Sequence, residues 1–211
     1  DGEYFFSVLQ QNKRSYPKTS GYKYSNISFV VAKVDFANNA FEYIGGAMKA
    51  DSENWIRKTA KKGTYIAIIK PQWQSIVSDF TFSAYGPGTV DMQATEFSAL
   101  PKNFINNIFY SHAEADSEKH VLSTFAIQGH RDIKYKTYDN KGGFGYLYFK
   151  NDSKDTAITA TVEYIGSYNI KLVEPHSGLR PTLTVQPGSS KIIVYEATSL
   201  PYSMQMRMLT T

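Results

Sequence analysis

The sequence predicts an all-β protein: an antiparallel β-sandwich, a short helical connection and a second, small β-sandwich. Two observations support this fold class. Short runs of aromatic and β-branched residues, separated by Gly, Pro and Asn, recur along most of the 211 residues, and this pattern is typical of strands joined by turns. The chain also contains 16 Tyr and 13 Phe, whose side chains pack well on a pleated sheet.

The first half of the chain is predicted to contain six short strands. In residues 79–85, Phe80, Phe82 and Ala84 point to one face because side chains alternate along a strand. The continuous apolar run over residues 66–69 is typical of a strand covered on both faces. The predicted strands are Tyr4–Gln10, Ile27–Asp35, Phe41–Ala47, Trp55–Lys61, Tyr65–Lys70 and Phe80–Tyr85. The side chains expected to be largely buried are Phe29, Val31, Ile66, Ile68, Phe80 and Phe82.

The second half is predicted to begin with a partly helical connector over residues 97–130. Phe104, Ile105, Ile108 and Phe109 have helical spacing, and a Pro just before them suits a helix start. Residues 117–125 fit either a helical turn or a strand. Seven strands follow: Ile133–Tyr138, Phe144–Lys150, Ile158–Tyr164, Asn169–Val173, Pro181–Val185, Lys191–Glu196 and Met204–Met208. The predicted domains are therefore residues 1–96, the connector, and residues 131–211 as an immunoglobulin-like or degenerate C2-like sandwich.

The composition bears on catalysis. The chain contains no Cys, so it has no thiolate nucleophile, no thiolate metal site and no disulfide framework. His112, His120, His130 and His176 lack metal-ligand spacing, and no Gly-x-Ser-x-Gly motif is present. We therefore expect this chain to have no catalytic residue of its own.

A basic run is the predicted anion-binding or membrane-binding site. The formal net charge is +4, which favours anionic surfaces. The run lies in residues 57–62, just before Gly63, and the alternative interpretation is a solvated strand end and turn. The candidate residues are Arg57, Lys58, Lys61 and Lys62.

Calcium is the one cofactor that the sequence leaves open. Ca²⁺ requires six to eight converging oxygen ligands, and the acidic residues are mostly scattered along the chain. The candidate ligands are Glu114, Asp116 and Glu118, which lie close together in sequence. No other cofactor is expected.

Four stretches occur in an order typical of one protein family. Tyr4–Arg14 is an apolar run that ends in Gln and paired basic residues, and it is followed by Ile27–Val34, Gly63–Pro71 and Asp79–Tyr85. Together they resemble the regulatory β-sandwich of calpain-type cysteine proteases, which is called domain III and is C2-like. The resemblance covers about residues 4–92 and includes no catalytic residue. It implies a domain linked to calcium, phospholipid and interdomain regulation.

The expected function is a non-catalytic regulatory or docking module of a calpain-like protein. Its partner would be a protein, such as the protease domain of the same parent protein, or an acidic phospholipid surface. The expected location is the cytoplasm, with association to the cytoskeleton or a membrane. Nucleic acid is not expected, since the alternating Tyr22-Lys23-Tyr24 is also typical of an exposed strand.

Two alternative functions remain open. The chain could be the C-terminal regulatory portion of an active, calcium-dependent cysteine protease. It could instead be a carbohydrate-binding or adhesion sandwich, for which Trp55 and Trp73 would form the platform.

Overall fold

The structure is a computed structural model that describes residues 1–74, 76–96, 98, 100–101, 103–115, 123–127, 129–140 and 142–211. The described strand pairs are antiparallel, and the chain is mostly β, which confirms the predicted fold class. The chain divides into two compact units. The first comprises residues 1–101 and 141–143, and the second comprises residues 102–140 and 144–211.

The first unit is built from two three-stranded sheets. Its strands are β1 (Gly2–Gln10), β2 (Asn26–Asp35), β3 (Ala40–Lys49), β4 (Glu53–Ala60), β5 (Thr64–Gln72) and β6 (Phe80–Tyr85). The first sheet has the order β4-β1-β6 and the second has the order β3-β2-β5. Side chains of the two sheets share one core, formed by Phe6, Val8, Ile27, Phe29, Val31, Ile56 and Ala60.

The burial predicted for side chains of this unit is confirmed in β2 but is wrong for several residues of β5 and β6. Phe29 and Val31 are fully buried in β2. Phe80 is 36% exposed, because β6 is the last strand of its sheet and has a neighbour on one side only. Phe82 is half-buried. Ile66 is also only half-buried, since the alternation of β5 turns Tyr65, Ala67 and Ile69 toward the core instead.

The strand that is covered on both faces is β2. Side chains that point away from the shared core, such as Val30 and Ala32, have no exposed surface. In β5 the apolar run over residues 66–69 contains one buried residue, Ile68, which is 5% exposed. The continuous apolar run in the sequence predicts that β5 is covered on both faces, but the strand that is covered on both faces is β2, at the centre of the sheet.

The second unit contains a helix and two sheets. Its elements are α1 (Phe104–Glu114), β7 (Ser123–Ile127), β8 (His130–Asn140), β9 (Phe144–Asn151), β10 (Ile158–Glu163), β11 (Ile170–Leu172), β12 (Thr182–Val185), β13 (Ser190–Ala197) and β14 (Arg207–Thr210). The larger sheet has the order β11-β13-β9-β8-β7, and the smaller has the order β12-β10-β14.

The predicted connector, residues 97–130, is not a separate element: residues 97–101 belong to the first unit and the rest belongs to the second. Helix α1 packs on the larger sheet, where the ring of Phe109 lies 5.5 Å from Phe144 and 6.2 Å from Tyr146. The opposite face of β9 presents Leu147 and Phe149 to the core shared with the smaller sheet. Strand β7 pairs with β8, so the end of the ambiguous segment is a strand. Residues 116–122 lie outside the described residues.

Candidate docking surface

The outer face of the first sheet carries a row of aromatic side chains. Because Phe6 and Val8 point into the core, Phe5 points to the outer face of β1. The ring of Phe5 lies 6.1 Å from Trp55 of β4 and 5.5 Å from Tyr85 of β6, and its plane is 10° from that of Tyr85. We call Trp55, Phe5 and Tyr85 the aromatic row, which crosses all three strands of the sheet.

The aromatic row is open to solvent. Trp55 is 50% exposed and Tyr85 is 54% exposed, and Leu9 on the same face of β1 is 38% exposed. Single exposed apolar residues are ordinary, but a contiguous exposed patch is typical of a binding surface. Three neighbouring rings and a leucine on one sheet face form such a patch.

Arg57 lies at the edge of the aromatic row, beside the ring of Phe5. Its guanidinium carbon lies 5.6 Å from the centre of the Phe5 ring, within the range of a cation–π contact. It also pairs with the carboxylate of Glu3. The hydrogen bond and the negative charge of Glu3 raise the pKa of Arg57. The ion pair holds the guanidinium beside the aromatic row.

The predicted basic run does not form one continuous patch. Arg57 faces the aromatic row and is paired, whereas Lys58, the next residue of β4, points to the opposite face. A Cβ added to Gly45 would lie 2.9 Å from Cε of Lys58, so the lysine stem lies along β3. Consecutive residues of a strand point apart, and this separates the first two members of the run.

The remaining two basic residues lie in the turn between β4 and β5. The amide and carbonyl groups of Lys61 both bond to the Tyr65 hydroxyl, at 3.0 and 2.6 Å. The amide of Lys62 donates to Oδ1 of Asp1 at 2.6 Å. Lys33 lies beside the same turn, since a Cβ added to Gly63 would lie 2.6 Å from Cε of Lys33. The sequence did not indicate Lys33, because only the pairing of β2 with β5 brings it there.

The calcium candidates are only partly described. Glu114, at the end of α1, accepts hydrogen bonds from the hydroxyls of Tyr148 and Ser190, the latter at 2.8 Å. Burial acts to raise the pKa of Glu114, but these hydrogen bonds, a further one from Tyr110 and the positive charge of Lys150 together hold the pKa below its usual range. Asp116 and Glu118 lie outside the described residues. Within the described ranges, no group of three or more His, Asp or Glu residues is placed to hold a metal ion.

The two tryptophans do not form one platform. Trp55 lies in the first sheet, whereas Trp73 directly follows β5 of the second sheet and is half-buried. The ring neighbours of Trp55 are instead supplied by β1 and β6. Strand alternation in the sequence indicates which face Phe5 and Tyr85 occupy relative to their own strands, but not that the two strands are adjacent.

Comparison of the chain with known protein families, curated proteins and solved structures gives no match. The fold is that of a two-unit, antiparallel all-β protein. In the part of the chain that the structure describes, no helix is long and apolar enough to cross a membrane.

Proposed function

We propose that this chain is a non-catalytic docking module, of the calpain regulatory kind, that binds a partner protein through the outer face of its first sheet. The observation that carries this proposal is the exposed aromatic row with Arg57 at its border. The chain has no Cys and supplies no thiolate nucleophile, so a cysteine-protease activity would belong to another domain or another chain.

The composition of this face suits protein recognition. Residues that dominate binding energy at protein interfaces are enriched in Trp, Tyr and Arg, and they cluster where water is excluded. Trp55, Tyr85 and Arg57 supply these three types on one face. The face also lies on a sheet, where backbone pairing to β1 fixes the rings before binding. A rigid face loses little conformational entropy when a partner covers it.

Site-specific photo-crosslinking tests this proposal. We expect a chain with p-benzoylphenylalanine in place of Tyr85 to crosslink to one discrete protein in an extract of the cells that naturally make it. The same photo-reactive residue in place of Leu179, which is 43% exposed in the second unit, is the matched control and should not capture that protein. Excess wild-type chain should remove the crosslinked product.

A competitor variant shows whether the aromatic row is responsible. Excess chain with Trp55→Ala should compete poorly for the protein captured at position 85. Equal competition by wild type and Trp55→Ala, or equal capture from position 179, would contradict the proposal.

A second candidate function is binding to an acidic membrane through the turn between β4 and β5. Its support is the exposed pair Lys61 and Lys62, for which the described residues provide no ion-pair partner. Basic residues near an anionic bilayer contribute about 1 kcal/mol each, and the effect fades with salt. Lys33 and Lys58 would add to this attraction.

Co-sedimentation with phosphatidylserine vesicles tests the membrane candidate. The double variant Lys61→Glu and Lys62→Glu should weaken binding by at least about 30-fold at low salt. The matched control is Lys154→Glu with Lys191→Glu, which makes the same charge change at exposed sites of the second unit. Equal loss in both variants would leave only non-specific attraction, and binding that requires calcium would indicate a C2-type site instead.

A further inference from the structure

The loop between β1 and β2 is an ordered structure that the proposed function does not use. The side-chain amide of Gln10 ties its two ends together, since Nε2 donates to the carbonyl of Ser25 at 2.7 Å and Oε1 accepts from the amide of Ser25 at 2.9 Å. Two short 3-10 turns, Lys13–Ser15 and Lys18–Ser20, lie between these ends. The side chains of the loop are therefore held on a fixed backbone.

Three tyrosines of this loop form a connected group. The rings of Tyr16 and Tyr22 are stacked, with centroids 4.1 Å apart and planes 17° from parallel, and Tyr24 meets Tyr22 edge-on at 5.9 Å. The hydroxyl of Tyr22 donates to the carbonyl of Gln11 at 3.0 Å. The hydroxyl of Tyr16 lies 2.8 Å from Oγ of Ser78. These hydrogen bonds fix the stacked pair in place.

A groove of about 490 Å³ lies beside the stacked pair, and its lining is positively charged. The groove is open to solvent and not enclosed, and its volume can admit a small ligand. The lining includes Lys13, Arg14, Lys18 and Ser20 together with Tyr16 and Tyr22.

Among the residues that the structure describes, no acidic side chain pairs with the basic side chains of this groove. The sequence contains no Asp or Glu between Tyr4 and Val34. The groove therefore combines uncompensated positive charge with aromatic rings.

The alternating Tyr and Lys residues at positions 22–24 lie in the loop and not in the exposed strand that the sequence pattern suggested. Residues 22–24 precede β2 and belong to no strand, so the interpretation as an exposed strand of an ordinary sheet is wrong for this segment. Lys134–Tyr138, which has a similar pattern, does lie in β8. The tyrosines of the loop are arranged by ring contacts and not by a sheet.

We propose that this groove binds a nucleoside phosphate. The base would stack on the ring of Tyr16 or Tyr22, and the phosphate would accept hydrogen bonds from Arg14 and Lys18. Any of the nucleic acid bases can stack on an aromatic side chain, because every base has a flat π-face. Arg and Lys are the usual phosphate donors, and Arg can contact two phosphate oxygens at once. The hydroxyl of Ser20 provides a further polar group at the same wall.

Both ligand parts are needed to explain the groove. A phosphate alone would make no use of the tyrosine rings, and an uncharged ring compound would make no use of Arg14 and Lys18. Lys13 already lies 4.4 Å from the centre of the Tyr24 ring, in a cation–π contact. This site goes beyond the proposed docking function, since it shares no residue with the aromatic row.

Calorimetric titration of the full chain tests the proposal with adenosine 5′-monophosphate as the probe. We expect adenosine alone and ribose 5-phosphate alone to bind at least about tenfold more weakly, since each lacks one of the two contacts. A single-stranded oligonucleotide serves as a second arm. Its affinity relative to the mononucleotide shows whether the natural ligand is a free nucleotide or a strand.

Variants assign the contacts. Arg14→Gln should weaken binding of adenosine 5′-monophosphate about tenfold and leave binding of adenosine unchanged. Tyr22→Leu should weaken both. Lys154→Gln is the control, because it removes one positive charge from an exposed site of the second unit, and it should have no effect. Arg14 is exposed and its side chain has no partner among the described residues, so Arg14→Gln leaves folding intact.

Three results would overturn the proposal. The first is binding of inorganic phosphate as tight as that of adenosine 5′-monophosphate. The second is tighter binding of phosphotyrosine, which would assign the groove to a phosphorylated protein. The third is equal weakening by Arg14→Gln and Lys154→Gln, which would show that the effect comes from overall charge alone.

Discussion

Replacing Phe29 with Ala is expected to destabilise the first unit by about 3–5 kcal/mol, the usual cost of removing a buried Phe side chain. Phe29 has no exposed surface and lies in β2, which pairs with β3 on one side and β5 on the other. Its ring also lies 6.4 Å from Phe82 of the opposite sheet. Truncation would leave a cavity at the centre of the core that both sheets share.

Urea unfolding followed by tryptophan fluorescence measures this effect. The chain has two Trp, Trp55 and Trp73, and both lie in the first unit, so the signal reports that unit alone. The matched control is Phe36→Ala, which removes the same atoms from a side chain that is 46% exposed and should cost less than about 1 kcal/mol. Similar midpoints for the two variants would show that the two sheets do not share this core.

Local strand patterns could be predicted from the sequence because side-chain alternation is encoded in neighbouring residues. The strand Phe80–Tyr85 was predicted with the bounds that the structure shows. The helix was predicted from the spacing of Phe104, Ile105, Ile108 and Phe109, which all lie buried in α1. Grouping this helix with the second unit could not be predicted, since it depends on distant contacts with β9.

The burial of individual strands was harder to predict than their positions. An apolar run indicates that a strand is covered but not where the strand lies in its sheet. Phe80 has the apolar alternation of a core residue, yet β6 ends its sheet and leaves the ring exposed. The order of strands in a sheet is set by long-range pairing, which the local pattern does not contain.

The candidate site was predicted only in part, for the same reason. Trp55 and Arg57 were each identified, but in different roles: Trp55 as half of a sugar platform and Arg57 as part of a basic run. The antiparallel register places Arg57 opposite Phe5, and Phe5 opposite Tyr85. That register joins a residue of each of three strands into one surface, and no pair of them is adjacent in sequence.

Trp55→Ala is expected to weaken binding of the partner protein by at least about 30-fold, equivalent to about 2 kcal/mol. Trp55 is the largest side chain of the aromatic row, and half of its surface is free to be covered. Because Trp55 points away from the core, the substitution should change the stability of the first unit little. Tyr85→Ala should weaken binding in the same direction.

The most direct test of the docking proposal is calorimetric titration of the purified protein that position 85 captures. The proposal predicts that wild type and Leu179→Ala bind it with equal affinity, and that Trp55→Ala binds it at least about 30-fold more weakly. Unchanged unfolding midpoints would show that the loss is one of contact and not of folding. Equal affinity of wild type and Trp55→Ala for this protein would contradict the account.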